Sequence, residues 1–332
     1  VEGISQANYD ALLHSPDKPH YNRAIRGQYP PGSTVKPFIG LGGLSLGFVT
    51  PRKSTFCPGY FSLPGQKHRF RCWRRGGHGT VDLGLGIVQS CDVYFYWLAH
   101  QMGVDKLHAF LSEFGFGSRT GVDVSGELPG LLPSREWKER VRKQPWYPGE
   151  TLIMGIGQGY FLATPMQLAA ATAALANKGH FIQPRLAYAR RVPGADVATV
   201  FPTVARQIQI TNPGDWDIAI EDMAKVVESQ RGTAKRIHSN DYRIAGKTGT
   251  SQVFTIGQKE RYDASKISER LRDHALFVAF APVEDPRIAV AVMVENGGSG
   301  SGTAAPIARR VIDAYLGGTP LPDESETKSD GD

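Results

Sequence analysis

The sequence predicts an α+β fold: an antiparallel sheet packed with helices and joined to a mostly helical subdomain. Three observations carry that expectation. The last third holds three segments rich in Val, Ile, Phe and Ala, two of them separated only by the turn tetrad "VEDP", which is the pattern of antiparallel strands. The middle third follows the helical period and carries recognisable start and stop residues. Finally, 332 residues without an apolar run of about 18 describe one large or two small globular domains that can bury a core.

Taken in order, residues 1–31 are polar and turn-rich ("HSPDKPHYNR") and hold no convincing pair of strands. "PPGSTVKP" then opens the first strong helical stretch. Residues 51–82 are short on helical period and rich in Gly, Pro, Cys, His and Arg, a loop-like insert held by something other than a large core. "VQSCDVYFYWLAHQMG" and "GVDKLHAFLSEFGFG" read as two helices, the second ended by Gly115 and Gly117. A further helix follows "ATPMQLAAATAALANKG", with Thr164 as N-cap, Pro165 at the first helical position and Gly179 past its end. "RIAGKTGTSQVF", "HALFVAFAP" and "RIAVAVMVEN" are the three strands, and "TAAPIARRVIDAYLG" is a closing helix. The domain is expected to span 1–317, with 318–332 a polar, disordered tail. The chain starts at Val1 rather than Met and is expected to be a soluble piece of something longer, without its membrane anchor.

The formal charge is +6, with basic clusters at Arg69, Arg71, Arg74, Arg75 and at Lys138, Arg140, Arg142, Lys143. Such a surface suits a polyanion, but no helix-turn-helix, finger or RNA-reading signature accompanies it, so no nucleic acid partner is expected and the clusters read as solvated faces.

Chemistry concentrates at three places. Ser33 and Lys36 are spaced i, i+3, so on a helix they share a face and the amine can reach the hydroxyl. A serine needs a base to become a nucleophile, and a lysine is that base only if its pKa falls from about 10.4 toward about 7 to 8, which requires burial and a nearby cation. Lys247 in "KTGT" supplies a cation on a strand, where Gly249 lets a ligand or another backbone approach. In "QSCD", local extension would point Ser90 and Asp92 to one side and Cys91 to the other. "GIGQG" at 155–159 resembles part of a dinucleotide loop but lacks the preceding apolar strand and following acidic residue, so nucleotide binding is not expected.

The set Ser33-x-x-Lys36, Ser90-x-Asp92 and Lys247-Thr248-Gly249, in that order, resembles the penicillin-binding proteins and serine β-lactamases. "NRAIRGQYPPGSTVKP", "GIGQGYFLATPMQLAAATAALANKG" and "AGKTGTSQVF" are similar to the class B transpeptidases, and "REWKERVRKQPWYPGE" and "ISERLRDHALFVAFAP" to the elongation-specific branch, penicillin-binding protein 2. The resemblance implies a peptidoglycan D,D-transpeptidase, acylated by β-lactams and serving cell elongation and shape. Ser33 would be its nucleophile, Lys36 the base and Ser90 the proton relay, while Lys247 and Thr248 would hold the substrate carboxylate. The backbone N–H groups of Ser33 and Thr250 would form the oxyanion hole. Asp92 stands where the family more usually has Asn, and a carboxylate can pair with a lysine instead of donating as an amide does. The resemblance also implies a five-stranded sheet whose first two strands precede the nucleophile; they are expected to be missing here. Peptidoglycan stem peptides and β-lactams are the implied ligands, a glycosyltransferase and other elongation-complex membrane proteins the implied partners, and the periplasmic side of the bacterial inner membrane the implied location.

Cys57, Cys72 and Cys91, with His78, make a Cys3His set suited to a closed structural Zn2+ site, a staple for an insert of thin apolar content. His68 is an alternative fourth ligand, though "QKHRF" reads as surface. Two other outcomes stay open: a Cys57–Cys72 disulfide with Cys91 free, in keeping with the oxidising location, or three reduced buried thiols. The acyl transfer itself needs no cofactor. No Glu stands in a recognisable deacylation motif, which weighs against a β-lactamase; a β-lactam sensor or scaffold without turnover is the remaining alternative.

Overall fold

The structure is a computed structural model, and it describes residues 3–193, 199–253, 267–319 and 321. The expected tail at 318–332 lies outside these apart from Gly318, Thr319 and Leu321. Helices α1 (Gln6–Leu13) and α2 (Arg23–Arg26) occupy the polar start, and a 3-10 turn at Gly32–Val35 leads into α3 (Lys36–Ser45). The insert contains β1 (Thr55–Cys57), β2 (Tyr60–Phe61), β3 (Phe70–Arg71) and β4 (Gly79–Val81), nested so that β1 pairs with β4 and β2 with β3. α4 (Leu83–Val88) and α5 (Asp92–Glu113) follow; α5 is broken at Gly103, whose positive φ separates the two helices expected there. Next come α6 (Arg135–Arg142), α7 (Pro148–Met154) and α8 (Pro165–Ala176). Thr164 caps α8 with Gln167 closing a reciprocal capping box, so two orphan N–H groups at that end are satisfied.

Between α8 and α9 (Gly214–Glu228) lie four short strands: β5 (His180–Ile182), β6 (Ala189–Arg190), β7 (Thr199–Val200) and β8 (Ala205–Gln207). The main sheet is built from β9 (Ala245–Ser251), β10 (His274–Ala281) and β11 (Ile288–Val294), antiparallel and ordered β11-β10-β9, and α10 (Ala305–Leu316) closes the chain. Among the described residues no other strand joins this sheet, and the outer edge of β11 is unpaired there. β10 is the central strand, buried along nearly its whole length, which explains its continuous apolar run rather than an alternation.

The main core runs from Val35, Phe38 and Ile39 of the 3-10 turn and α3 through Tyr94, Phe95 and Leu98 of α5 to Phe277 and Phe280 of β10. The site therefore sits where the Gly32–Val35 turn, which leads into the fully buried helix α3, meets the edge of β9 that pairs with no other strand among the described residues. Among the described residues no helix is long and apolar enough to cross a membrane.

Candidate active site

The Ser33 segment is shaped by two backbone facts. Gly32 has a φ of +56°, and a Cβ there would lie 2.5 Å from the carbonyl oxygen of Thr250, so only glycine lets the Ser33 turn lie against β9. The N–H groups at the start of the 3-10 turn have no intrahelical partner, which leaves that of Ser33 available to an anion. Ser33 itself is half-buried, and Lys36, one turn on, is fully buried.

Lys36 does not spend its donors on Ser33. Its Nζ donates to Asp92 Oδ1 at 2.7 Å, to the Ser90 carbonyl at 2.9 Å and to Ser90 Oγ at 3.2 Å. Lys247, also fully buried, donates from Nζ to Ser90 Oγ at 2.9 Å and to its neighbour's carbonyl, Thr248 O, at 3.0 Å. Ser90 Oγ thus bridges two buried amines. The expected hydroxyl–amine contact between Ser33 and Lys36 is replaced by a chain that runs from Lys36 through Ser90 to Lys247.

Asp92 is held from both sides, by Lys36 on Oδ1 and by the backbone N–H of Trp73 on Oδ2 at 2.8 Å. Burial raises its carboxyl above the ordinary range, against the pull of Lys36. Burial, followed by the charge on Lys36, drives the Lys247 ammonium well below its usual value. Burial and a neighbouring cation, the two conditions that depress a lysine, thus meet at Lys247.

The "QSCD" triplet divides as expected, by a different backbone. Ser90 has a left-handed φ of 54°, Cys91 is extended, and Asp92 is already the first residue of α5. A left-handed kink at a helix entrance, not the alternation of a strand, sends Cys91 away from Ser90 and Asp92. Behind the turn, Cys57, Cys72, His78 and Cys91 place their ligand atoms within 4.8 Å of one another. His78 Nδ1 lies 3.6 Å from Cys57 Sγ and 3.5 Å from Cys72 Sγ, close to the roughly 3.5 Å edge of a tetrahedron with Zn–S about 2.3 Å and Zn–N about 2.0 Å. All three cysteines are free thiols, so the Cys57–Cys72 disulfide is not formed. His68 is exposed and edge-stacks on Phe70, outside the cluster. The thiols act on one another: the hydrogen bond between Cys72 and Cys91 pulls Cys72 down and pushes Cys91 up, and burial raises Cys57. The donor set fits a soft, borderline divalent metal such as zinc.

Ser33, Ser90, Asp92, Thr248, Gly249 and Thr250 line a cleft of about 620 Å³. A larger groove of about 880 Å³ lies between α4 and α9, lined by Asp82, Asp222 and Arg243 among others, but it contains no residue of the three motifs. The chemistry, not the volume, locates the site. Other cleft residues were not legible as site residues, among them Trp73, Thr233, Asp273 and Gln158. Trp73, 60 % exposed, follows Cys72, so only the insert's fold could bring it there. Thr233 joins its hydroxyl to that of Thr248 at 2.9 Å, from a loop that carries no motif. Asp273 precedes β10, and Gln158 sits in the glycine-rich turn read above only as a nucleotide-loop fragment.

The family model for the penicillin-binding protein transpeptidase domain matches residues 4–313. The peptidoglycan D,D-transpeptidase MrdA of Acinetobacter baumannii is 47% identical over 317 residues, covering 95% of this chain and 46% of the relative. Among solved structures, Pseudomonas aeruginosa PBP2 in complex with WCK 5153 matches at 50% identity and a TM-score of 0.82, over 97% of this chain and 65% of that one. The Helicobacter pylori complex between PBP2 and MreC matches at 32% identity and a TM-score of 0.80, over 95% of this chain and 55% of that one. The chain spans about half the length of the curated relatives it matches. With its three motifs gathered in one cleft and the family match running across nearly all of it, the chain belongs to the penicillin-binding protein transpeptidase domain family.

Proposed function

We propose that this chain is the catalytic unit of a peptidoglycan D,D-transpeptidase of the elongation type, with residues 1–317 as the domain. The observation that carries the reading is the Ser90 hydroxyl held between Lys36 and Lys247, beside Ser33 and the free edge of β9. Ser33 Oγ attacks the carbonyl of the penultimate D-Ala of a stem peptide, and its proton passes to the Lys36–Ser90–Lys247 chain. Charge on the tetrahedral oxygen is met by the N–H groups of Ser33 and Thr250, preorganised by the turn at Gly32 and the strand end. The C–N bond breaks as the relay returns a proton through Ser90 to the leaving D-Ala amine. An acceptor amine then attacks the Ser33 ester, gives up its proton along the same path, and Ser33 regains its hydroxyl. In a β-lactam the scissile amide is part of a ring, so the leaving amine stays tethered and the ester persists. Lys247, Thr248 and Thr233 supply the cation and hydroxyls for the substrate carboxylate.

Asp92 is engaged by Lys36 and Trp73, which leaves it poorly placed to activate water and favours transfer over hydrolysis. Zinc held by Cys57, Cys72, His78 and Cys91 would be structural: four protein donors leave no open position for substrate. The reading places the domain on the periplasmic side of the inner membrane, among a glycosyltransferase and other elongation proteins. The similarity to a penicillin-binding protein solved with MreC supports such partners. The test is intact-mass measurement after incubation with penicillin. A single adduct that vanishes in Ser33→Ala is expected; an adduct that survives the substitution would overturn the assignment.

A further inference from the structure

The glycine-rich turn at 155–159 has no part in the mechanism so far, yet it touches the cleft at both ends of the oxyanion hole. Its geometry is pinned at alternate residues. A Cβ at Gly155 would collide with Ala99 of α5, so the turn is packed hard on that helix. Gly157, with a φ of +72°, accepts the Gly32 N–H on its carbonyl at 2.8 Å, and a Cβ there would strike the Gly32 carbonyl oxygen. Gln158 then reaches across, and its Nε2 donates to the Thr250 carbonyl at 2.8 Å. Its own backbone is fixed by the bond from Gln158 N to Ile153 O at 3.1 Å.

The two bonds to the cleft fall on a residue next to one proposed oxyanion donor and on the residue that carries the other. Gly32 precedes Ser33, and Thr250 carries both the second donor and the carbonyl that Gln158 holds. Thr250 is the penultimate residue of β9, and its N and O both face Gly32, the N 3.2 Å and the O 2.5 Å from where a Cβ would be. They line a free strand edge, with no neighbouring strand on that side among the described residues to fix the peptide planes. A hole made of two donors on separate elements works only if their spacing is kept, because stabilisation of the developing charge is lost with small displacements.

Resting on the transpeptidase reading above, we propose that Gln158 is a positioning residue of the oxyanion hole, holding the Thr250 backbone so that its N–H stays aimed beside that of Ser33. The carbonyl that accepts Gln158 keeps a second lone pair, so an extended peptide can still pair with the strand edge. Gln158 never touches the reacting carbon. Its effect therefore belongs to the acylation step rather than to substrate affinity.

The experiment is a time course of acylation by penicillin over a range of concentrations, separating the acylation rate constant from the dissociation constant of the preceding complex. Two variants are compared with the wild type: Gln158→Glu, equal in size but unable to donate when ionised, and Gln158→Met, which keeps the length without a polar head. Both should lower the rate constant by about 10- to 100-fold while the dissociation constant stays within about twofold. A boronic acid that forms a tetrahedral anion on Ser33 should lose affinity by a similar factor. The ester carbonyl stretch of the acyl-enzyme should move to higher frequency in both variants, a readout that mere loosening of the fold would not give. An unchanged rate constant in either folded variant, or a weaker complex acylated at the wild-type rate, would overturn the proposal. A wild type that is not acylated at all would overturn the transpeptidase reading itself.

Discussion

Two buried polar clusters lie back to back across the single turn Ser90-Cys91-Asp92, and they are completed in different ways. On the cleft side, Lys36, Asp92, Ser90 and Lys247 meet one another's hydrogen-bonding needs, with the Trp73 N–H finishing Asp92. On the insert side, three thiols and an imidazole converge, and His78 Nε2 is buried without a hydrogen-bond partner. The first closes on itself through hydrogen bonds. The second gathers four donors of the kind that bind a soft divalent metal.

The largest effect expected is at the nucleophile, where Ser33→Ala should abolish the penicillin adduct without altering either cluster, since Ser33 contributes to neither. Next comes Lys36→Met. Lys36 pairs with a buried carboxylate, and removing one partner of such a pair costs about 3–5 kcal/mol. Acylation should fall by about 1,000-fold or more, and thermal stability should drop as well. Adding Asp92→Asn removes the stranded carboxylate while still accepting the Trp73 N–H, so the double variant should recover much of the stability and none of the acylation. Calorimetry beside the acylation assay decides it; a double variant no more stable than Lys36→Met would mean that the pair does not hold the cleft side together.

Breaking the insert's Cys3His cluster, and with it the zinc it is proposed to hold, should act more weakly on the chemistry. A structural zinc contributes apparent binding energy on the order of 10 kcal/mol, and Cys91 sits between Ser90 and Asp92, so Cys72→Ser or His78→Ala should loosen the turn from behind. The expected result is a change from one zinc per chain to none by elemental analysis, a fall in Tm of roughly 5–10 °C and acylation slowed by about 10-fold. Wild-type protein with no zinc and three titratable thiols would show that the two clusters do not differ in the way described.

Much of this arrangement was legible before any coordinates. Ser33 and Lys36 could be placed on one face because i, i+3 spacing is local, and β10 and β11 could be paired because a short turn joins two β-rich runs. What could not be read depended on distant contacts. Lys36 turns to Asp92 and Ser90, 56 and 54 residues away, instead of to Ser33, and Asp92 takes its second bond from the backbone of Trp73, which any residue type there could supply. The short strands β5 to β8 are largely exposed, so they lack the apolar alternation that reveals a strand. Gln158 was passed over because its glycines were weighed as a phosphate loop, whereas they serve close approach of one backbone to another.

The smallest expected effect sharpens the comparison with a carboxylate outside both clusters. Asp222, 6% exposed in the groove between α4 and α9, has its nearest cation, Lys225, at 3.7 Å, whereas Asp92 has Lys36 at 2.7 Å. Burial pushes its carboxyl up from 3.8 to about 6, with Lys225 only partly opposing that. A carboxyl whose folded value is raised binds its proton more tightly in the folded protein. Its contribution to stability is therefore fully present below about 4 and is lost as pH rises toward about 6. Asp222→Asn, which cannot ionise, should gain about 1–2 kcal/mol over wild type above pH 6 and match it more closely near pH 4. Unfolding curves at the two pH values measure the difference. A variant equally or less stable at both would mean that Lys225 satisfies Asp222 as fully as Lys36 satisfies Asp92, and that burial without close pairing is not what sets this carboxylate apart.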